Sequence, residues 1–387
     1  MTSTTPSTGR KKDWWRERRS DLLADRDAQC PAVVFNEEAL NDTVFDLLSA
    51  GEVMGVHVPV VGGLHQGVLE EVIKLGAGFR CFSGPCLDDL AARFPDLPAT
   101  QLLLAHEGAR PEDYRAAFRL GARVAVLQAS HPGLWPELFA RQEILVGFRS
   151  PEAHGPDSHD GAFETSASGA QSAREIADRV GCVIKGGVLS EACLRAPQRC
   201  EPALSGLLGS VGELVLGSTG TETTLPVSSG DLQTVLLGLE HLSDHHPDVG
   251  IFLAPGLRLY DLFSVLLTRV LQTRVSDGAR RVRIDLSSGA LACLVQAVGS
   301  GGVVNLSRPG SGGEEGSCLL VGSDDPDRAF AVAGLAPAPT STSAPEPGDV
   351  LLFPGCAWAG LFDVRHGGLQ RLHTRYLKAR RICQVPL

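Results

Sequence analysis

The sequence has no apolar leader, no long uninterrupted apolar run, no CxxC cysteine pair and no excess of basic charge. Residues 1–20 pass from polar residues into Lys11, Lys12, Arg16, Arg18 and Arg19 around Trp14 and Trp15, without the apolar core of a secretory signal. Residues 1–29 are therefore expected to form a flexible basic arm. The most apolar helix candidate, 257–275, is interrupted by Asp261 and Arg269, too charged for a membrane span. Ten scattered cysteines give neither a zinc-ribbon spacing nor a small disulfide framework. A net charge of -10 argues against a general nucleic-acid binder, because neutralising phosphates needs a basic face. These absences predict a cytoplasmic protein whose partners are neither membrane nor nucleic acid. His241, His245 and His246 in EHLSDHHPD include an i, i+4 pair. No carboxylate or cysteine is spaced to complete a ligand set, so they read as polar residues ending a helix before Pro247, and no metal is expected.

What is present is enough chain for two domains: 387 residues, 43% apolar and 21% charged, close to the averages of folded proteins. From Gly51 onward short apolar runs alternate with amphipathic stretches. Residues 53–61, 78–83, 101–106, 123–128, 182–188, 213–218 and 250–256 read as strands, and 67–76, 86–94, 110–121, 173–181 and 231–246 as helices. Such repeated units predict parallel strands with crossover helices. After about residue 260 the runs LLTRVLQTRVS, RRVRIDLSS, SCLLVGS and DVLLFPG are rich in β-branched residues and separated by Gly, Pro and Ser, as in an antiparallel β domain. The fold class is thus α/β, a TIM (β/α)8 barrel over 46–256 followed by an antiparallel β domain over 257–387.

Several strings, in order, resemble the family of ornithine, diaminopimelate and arginine decarboxylases, whose members join a barrel that binds pyridoxal phosphate (PLP) to a C-terminal β domain. PAVVFNEEAL (31–40) resembles the strand that precedes the barrel, which assigns 30–45 to the β domain. LGAGFRCFSGPCLDDL (75–90) resembles the LGAGFDVASGGEL string of members and is the most specific match. LVLGSTG (214–220) stands where LDIGGGF would be, FLAPGLRLY (252–260) where EPGRY would be, and GDVLLFPGCAWAG (348–360) where GDxLxFxxxGAY would be.

The resemblance implies chemistry that can be checked position by position. PLP decarboxylation needs a lysine for the covalent cofactor bond, an acid facing the pyridine nitrogen and a glycine-rich phosphate turn. The family's lysine stands fifteen residues before the first Gly of LGAG, which is Val61 here. The acid of EPGR falls on Ala254, and its arginine on Leu257 with Arg258 adjacent. The phosphate turn is reduced to Gly217, Ser218, Thr219 and Gly220, whose hydroxyls can still donate to an anion. The stacking histidine falls on Lys185, which places a lysine in the expected pocket; it reads as a lysine that snorkels or pairs with a carboxylate, with a relocated covalent bond as the sharper alternative. The GPTCD-like string becomes VGSDDPD, with Asp324 and Asp325 but no cysteine, and the tyrosine of GAY becomes Ala359.

Losing lysine, acid, histidine, cysteine and tyrosine together points to a catalytically inactive homologue that acts as a binding or regulatory protein. Antizyme inhibitors are the type of such a pseudoenzyme, so the resemblance implies polyamine metabolism, with an antizyme or an active decarboxylase paralogue as partner and a homo- or heterodimer as assembly. The antizyme-facing region corresponds to 105–141, which offers Arg110, Arg115, Arg119, Arg123 and Arg141, residues that otherwise read as an ordinary solvated basic face. No cofactor is expected, or PLP if any. The alternative is a PLP-dependent carboxy-lyase with a relocated site, drawing on Lys185, His57, Asp324 and Asp325.

Overall fold

The computed structural model describes residues 14–24, 30–49, 53–60, 64–149, 163–164, 166–189, 212–217, 238, 240–276, 279–297, 303–308, 318–325, 328–331, 345–354 and 373–378. The chain divides into two compact units. One comprises Met1–Thr43, Gly62–Leu69 and Tyr260–Leu387, the other Val44–Val61 and Glu70–Leu259.

The second unit is a closed barrel. Its strands are β2 (Val53–Pro59), β3 (Gly78–Cys81), β4 (Leu102–Ala105), β5 (Arg123–Val126), β6 (Glu143–Arg149), β8 (Val183–Leu189), β9 (Glu213–Gly217) and β10 (Gly250–Ala254), numbered after β1 (Ala32–Asn36) of the other unit. The two-residue β7 (Phe163–Glu164) pairs on the side of β6. The ring runs β2-β3-β4-β5-β6-β8-β9-β10 and closes where β10 pairs β2, every pairing being parallel. Strand β6 is indispensable to closure.

The crossover helices start and stop where local chemistry dictates. Helices α1 (Trp14–Glu17), α2 (Arg19–Ala24) and α3 (Glu37–Leu48) precede the barrel; α4 (Gln66–Lys74), α5 (Gly84–Arg93), α6 (Pro111–Leu120) and α7 (Ala167–Val180) follow its strands. Helix α6 opens with Pro111, and the Asp113 carboxylate accepts from the Arg110 backbone N–H at 2.8 Å and from the Gly84 N–H at 2.6 Å, joining the starts of α5 and α6. It ends on Gly121 at φ 70°, a left-handed position that glycine adopts without a Cβ clash. Helix α7 is capped by the Ser166 hydroxyl, which accepts from the Gly169 N–H at 3.1 Å.

The first unit is a mostly antiparallel sheet. Its remaining strands are β11 (Ser264–Ser276), β12 (Ala279–Ile284), β13 (Val304–Asn305), β14 (Cys318–Val321), β15 (Ala329–Ala331), β16 (Val350–Pro354) and β17 (His373–Leu377). Strand β1 pairs antiparallel with β11 and parallel with β17. Strand β11 is shared: its first half pairs β16 and its second half pairs β12, which continues to β14 and β15. Helix α8 (Ser288–Ala297) interrupts this unit, so the C-terminal region is not purely β.

Residues 14–24 of the supposed flexible arm are helical, and Trp14 and Trp15 are buried. The indoles bury large apolar area. Arg18 donates to the Lys378 carbonyl and Arg19 to the carbonyls of Leu306 and Ser307, so these charges act as fasteners. Residues 1–13 and 25–29 lie outside the described residues.

Candidate functional site: the barrel interior

Leu103, Ala105, Ala125, Leu127, Leu145, Val188, Val215, Phe252 and Ala254 form one buried cluster. They come from six strands around the ring yet form a single cluster, which identifies this face as the barrel interior. Arg80 and Arg123 are both in register with Leu103 and therefore share that face.

Across the interior the beginnings of the strands carry charge. Strands β5 and β9 are not neighbours in the ring, yet Arg123 and Glu213, their first residues, pair at 3.6 Å, so the contact crosses the interior. The Arg123 guanidinium lies 3.8 Å from the centroid of the Phe252 ring. His57 packs against the same ring at 5.9 Å and is 2% exposed. Burial, and then the charge of Arg123, lower its pKa to about 4, so it is neutral at pH 7, although the Thr100 carbonyl acts the other way. Neither ring nitrogen makes a hydrogen bond of ordinary geometry.

Arg80 is the residue that motif reading passes over. It is 1% exposed, its Nε and Nη2 both donate to the Ala105 carbonyl at 3.2 Å, and its guanidinium lies 5.0 Å from the Phe82 ring. Burial lowers its pKa to about 10, which leaves it charged at neutral pH. The signal was available: Arg80 stands where the LGAGFDVAS string carries Asp, a reversal of charge inside the barrel. A fixed guanidinium beside the end of β4 suits carboxylate or phosphate recognition but supplies no nucleophile.

The positions expected to carry PLP chemistry are distributed as follows. Ala254 ends β10 and is buried in the apolar interior. Gly217 ends β9, and a Cβ there would lie 1.9 Å from the Ala254 carbonyl oxygen, so close approach of two strands alone demands this glycine. Val61, Ser218, Thr219 and Gly220 lie outside the described residues. Arg258 is half-buried in the turn Leu257–Leu262.

Lys185 pairs with a carboxylate, as its preferred reading has it, but not at the expected pocket position. It is the third residue of β8, near the N-terminal end of the barrel, with its side chain 50% exposed and paired with Glu143. Ile144 pairs Ile184 and Leu145 pairs Gly186, so Lys185 is the extra residue of a β-bulge, which re-aims its side chain. The Glu143 contact raises its pKa, opposite to what a nucleophilic amine requires. Arg123 is a correction, since it is an interior residue rather than a partner-facing one. Arg110, Arg115, Arg119 and Arg141 are exposed, with Arg119 paired to Asp88 of α5. His57 is an interior neutral group at the floor. Asp324 accepts from the Ser288 backbone N–H at 2.6 Å and holds the start of α8, which lowers its pKa. Asp325 accepts from the Arg328 N–H at 3.2 Å. His245 contacts the His241 carbonyl at 2.8 Å as a helix-end residue, and among the described residues no group of three metal-ligating side chains occurs. No described helix is long and apolar enough to cross a membrane.

No protein-family model and no curated protein matches the chain. Solved structures do. The lysine/ornithine decarboxylase of Vibrio vulnificus complexed with putrescine is 15% identical, with TM-score 0.70, over 93% of this chain and 98% of that one. The arginine decarboxylase of Paramecium bursaria Chlorella virus is 16% identical, with TM-score 0.74, over 93% and 100%. The lysine decarboxylase of Selenomonas ruminantium is 14% identical, with TM-score 0.70, over 93% and 95%. At these identities the likeness establishes the fold, a barrel with a β domain as in amino-acid decarboxylases.

Proposed function

We propose that this chain is a non-catalytic protein on the decarboxylase fold, a binding or regulatory scaffold. One observation carries the reading. The sequence contains five lysines, Lys11, Lys12, Lys74, Lys185 and Lys378, and two of them fall in the barrel unit. Lys74 ends the outer helix α4 and pairs with Glu71 at 3.0 Å; Lys185 sits at the N-terminal end of its strand. Barrel enzymes act at the C-terminal ends of their strands, and PLP needs an amine there to join its aldehyde. The residues present therefore do not fit a covalently held PLP, and Ala254 offers no charge to a pyridine nitrogen. The partner in this reading is an antizyme or an active decarboxylase paralogue, within polyamine metabolism, met through the exposed arginines Arg110, Arg115, Arg119 and Arg141, in a homo- or heterodimer in the cytoplasm.

The test is a spectrum of the purified protein with added PLP, before and after borohydride. No reducible adduct is expected; a labelled lysine peptide would overturn the reading. The alternative, a PLP-dependent carboxy-lyase, draws support from the likeness to a lysine decarboxylase in complex with PLP and cadaverine. It requires a lysine from outside the barrel unit, which peptide mapping would identify.

A further inference from the structure

Outside the barrel, the register of β11 and β12 sets Arg274 directly opposite Arg281 and Gln272 opposite Arg283. Side chains alternate along a strand, so Arg274, Arg281 and Arg283 share one face. The ladder continues from Arg281 to Leu319 of β14 and from Leu319 to Ala331 of β15. One row, Arg274, Arg281, Leu319 and Ala331, thus crosses four strands. Arg274 and Ala331 are exposed, and Arg281 and Leu319 are half-buried, so the row opens to solvent along its length.

Directly opposed like charges, with Cβ atoms about 5 Å apart, destabilise a ladder. A neighbouring carboxylate ordinarily relieves them. Among the described residues neither the Arg274 nor the Arg281 side chain forms an ion pair or hydrogen bond, whereas the Arg283 side chain donates to the Ser323 carbonyl. Composition does not force this arrangement, because the chain has 45 acidic residues against 35 basic ones. Among the described residues, this repelling arginine pair is a local cost that an acidic ligand would relieve.

We propose that this row docks an extended acidic segment of another protein. Carboxylates of that segment bind the guanidinium groups of Arg274 and Arg281, a pairing that arginine makes through two parallel hydrogen bonds, and an apolar side chain rests on Leu319 and Ala331. The row spans about 14 Å at the usual strand spacing, a length suited to a few extended residues. Nucleic acid fits less well, because the row has no aromatic ring for base stacking and the chain is net negative. The inference concerns the β unit alone and does not depend on what the barrel binds.

The experiment measures binding of a short fluorescent peptide of alternating Glu and Leu to the full chain by anisotropy, with oligothymidylate and phosphatidylserine vesicles as comparison probes. The peptide is expected to bind, to weaken as salt rises, and to lose about tenfold or more in affinity in the R274E/R281E variant. A control variant, Arg179→Glu on the exposed side of α7, is expected to bind as the parent does. Absence of peptide binding, equal affinity in R274E/R281E, or tighter binding of the oligonucleotide or vesicles would overturn the proposal. Conversion of a dimer to a monomer in R274E/R281E would also overturn it, assigning the row to a second copy of the chain. The melting temperature of R281E separates lost binding from lost folding, since relieving the repulsion raises it.

Discussion

At the N-terminal end of the barrel Arg123 meets Glu213, Lys185 meets Glu143, and a neutral His57 lies buried beside Phe252; at the C-terminal end the strands finish on Ala105, Gly217 and Ala254. Barrels ordinarily keep residues for stability at the N-terminal end and reactive groups at the C-terminal end. Here the described charge pairs of the barrel strands stand at the N-terminal end, while Arg80, His106, Glu107 and, at the end of β6, Arg149 stand at the C-terminal end. The C-terminal end retains what strand packing demands, such as Gly217, and offers Arg80 as its described buried charge.

The comparison breaks first at Phe252, which holds both Arg123 and His57. Phe252→Ala is expected to cost about 3–5 kcal/mol in urea unfolding, as for other large aromatic truncations. A loss below about 1 kcal/mol would mean that the floor is not a packed unit. Next in size is the titration of His57. Its pKa falls from 6.5 when unfolded to about 4 when folded, so protonation favours the unfolded chain. This contribution is fully present above about pH 6.5, declines as pH falls through the window between 6.5 and 4, and is lost below about 4, a change of about 3 kcal/mol. His57→Phe should flatten that part of the stability profile. An unchanged slope would show that other groups titrate there.

Glu213→Gln sharpens the comparison further. It leaves the Arg123 guanidinium on the Phe252 ring without its carboxylate, at an expected cost of about 1–3 kcal/mol. The cost should shrink in an Arg123→Met background, and a double-mutant cycle measures that coupling. Independent effects would mean that the pair crossing the interior contributes nothing.

Much of the barrel is legible in the sequence because its strands are short apolar runs, such as LLLA and RVAV, bounded by helices with recognisable caps. Residues 143–149 escape recognition although they close the ring. They follow two one-turn helices, His131–Leu134 and Pro136–Phe139, that break the strand and helix rhythm. Helix α8 is hidden for a related reason, being a single apolar helix inside a region of β-branched runs. Lys185 is misplaced by string matching because β8 runs on for four residues beyond it, to Leu189, which leaves it near the N-terminal end, and a bulge there re-aims its side chain. Arg123 looks like a surface arginine until its spacing from Ala125 and Leu127 is read at strand period, where it falls on their interior face. The buried state of Trp14 and Trp15 depends on long-range packing that local charge does not reveal.

The smallest expected effect has the opposite sign. Arg123 is a charge with a partner, and removing the partner destabilises; Arg281 faces another cation, and reversing it should stabilise. Arg281→Glu converts a like-charge cross-strand pair into an opposite one, a gain of about 0.2–1 kcal/mol or a rise of about 1–3 °C in Tm. High salt should reduce the gain, because the pair is partly exposed and screened. If Arg281→Glu lowered Tm instead, the arginine row would be a structural feature like the barrel floor, and the distinction between charge kept for stability and charge kept for binding would fail at this position.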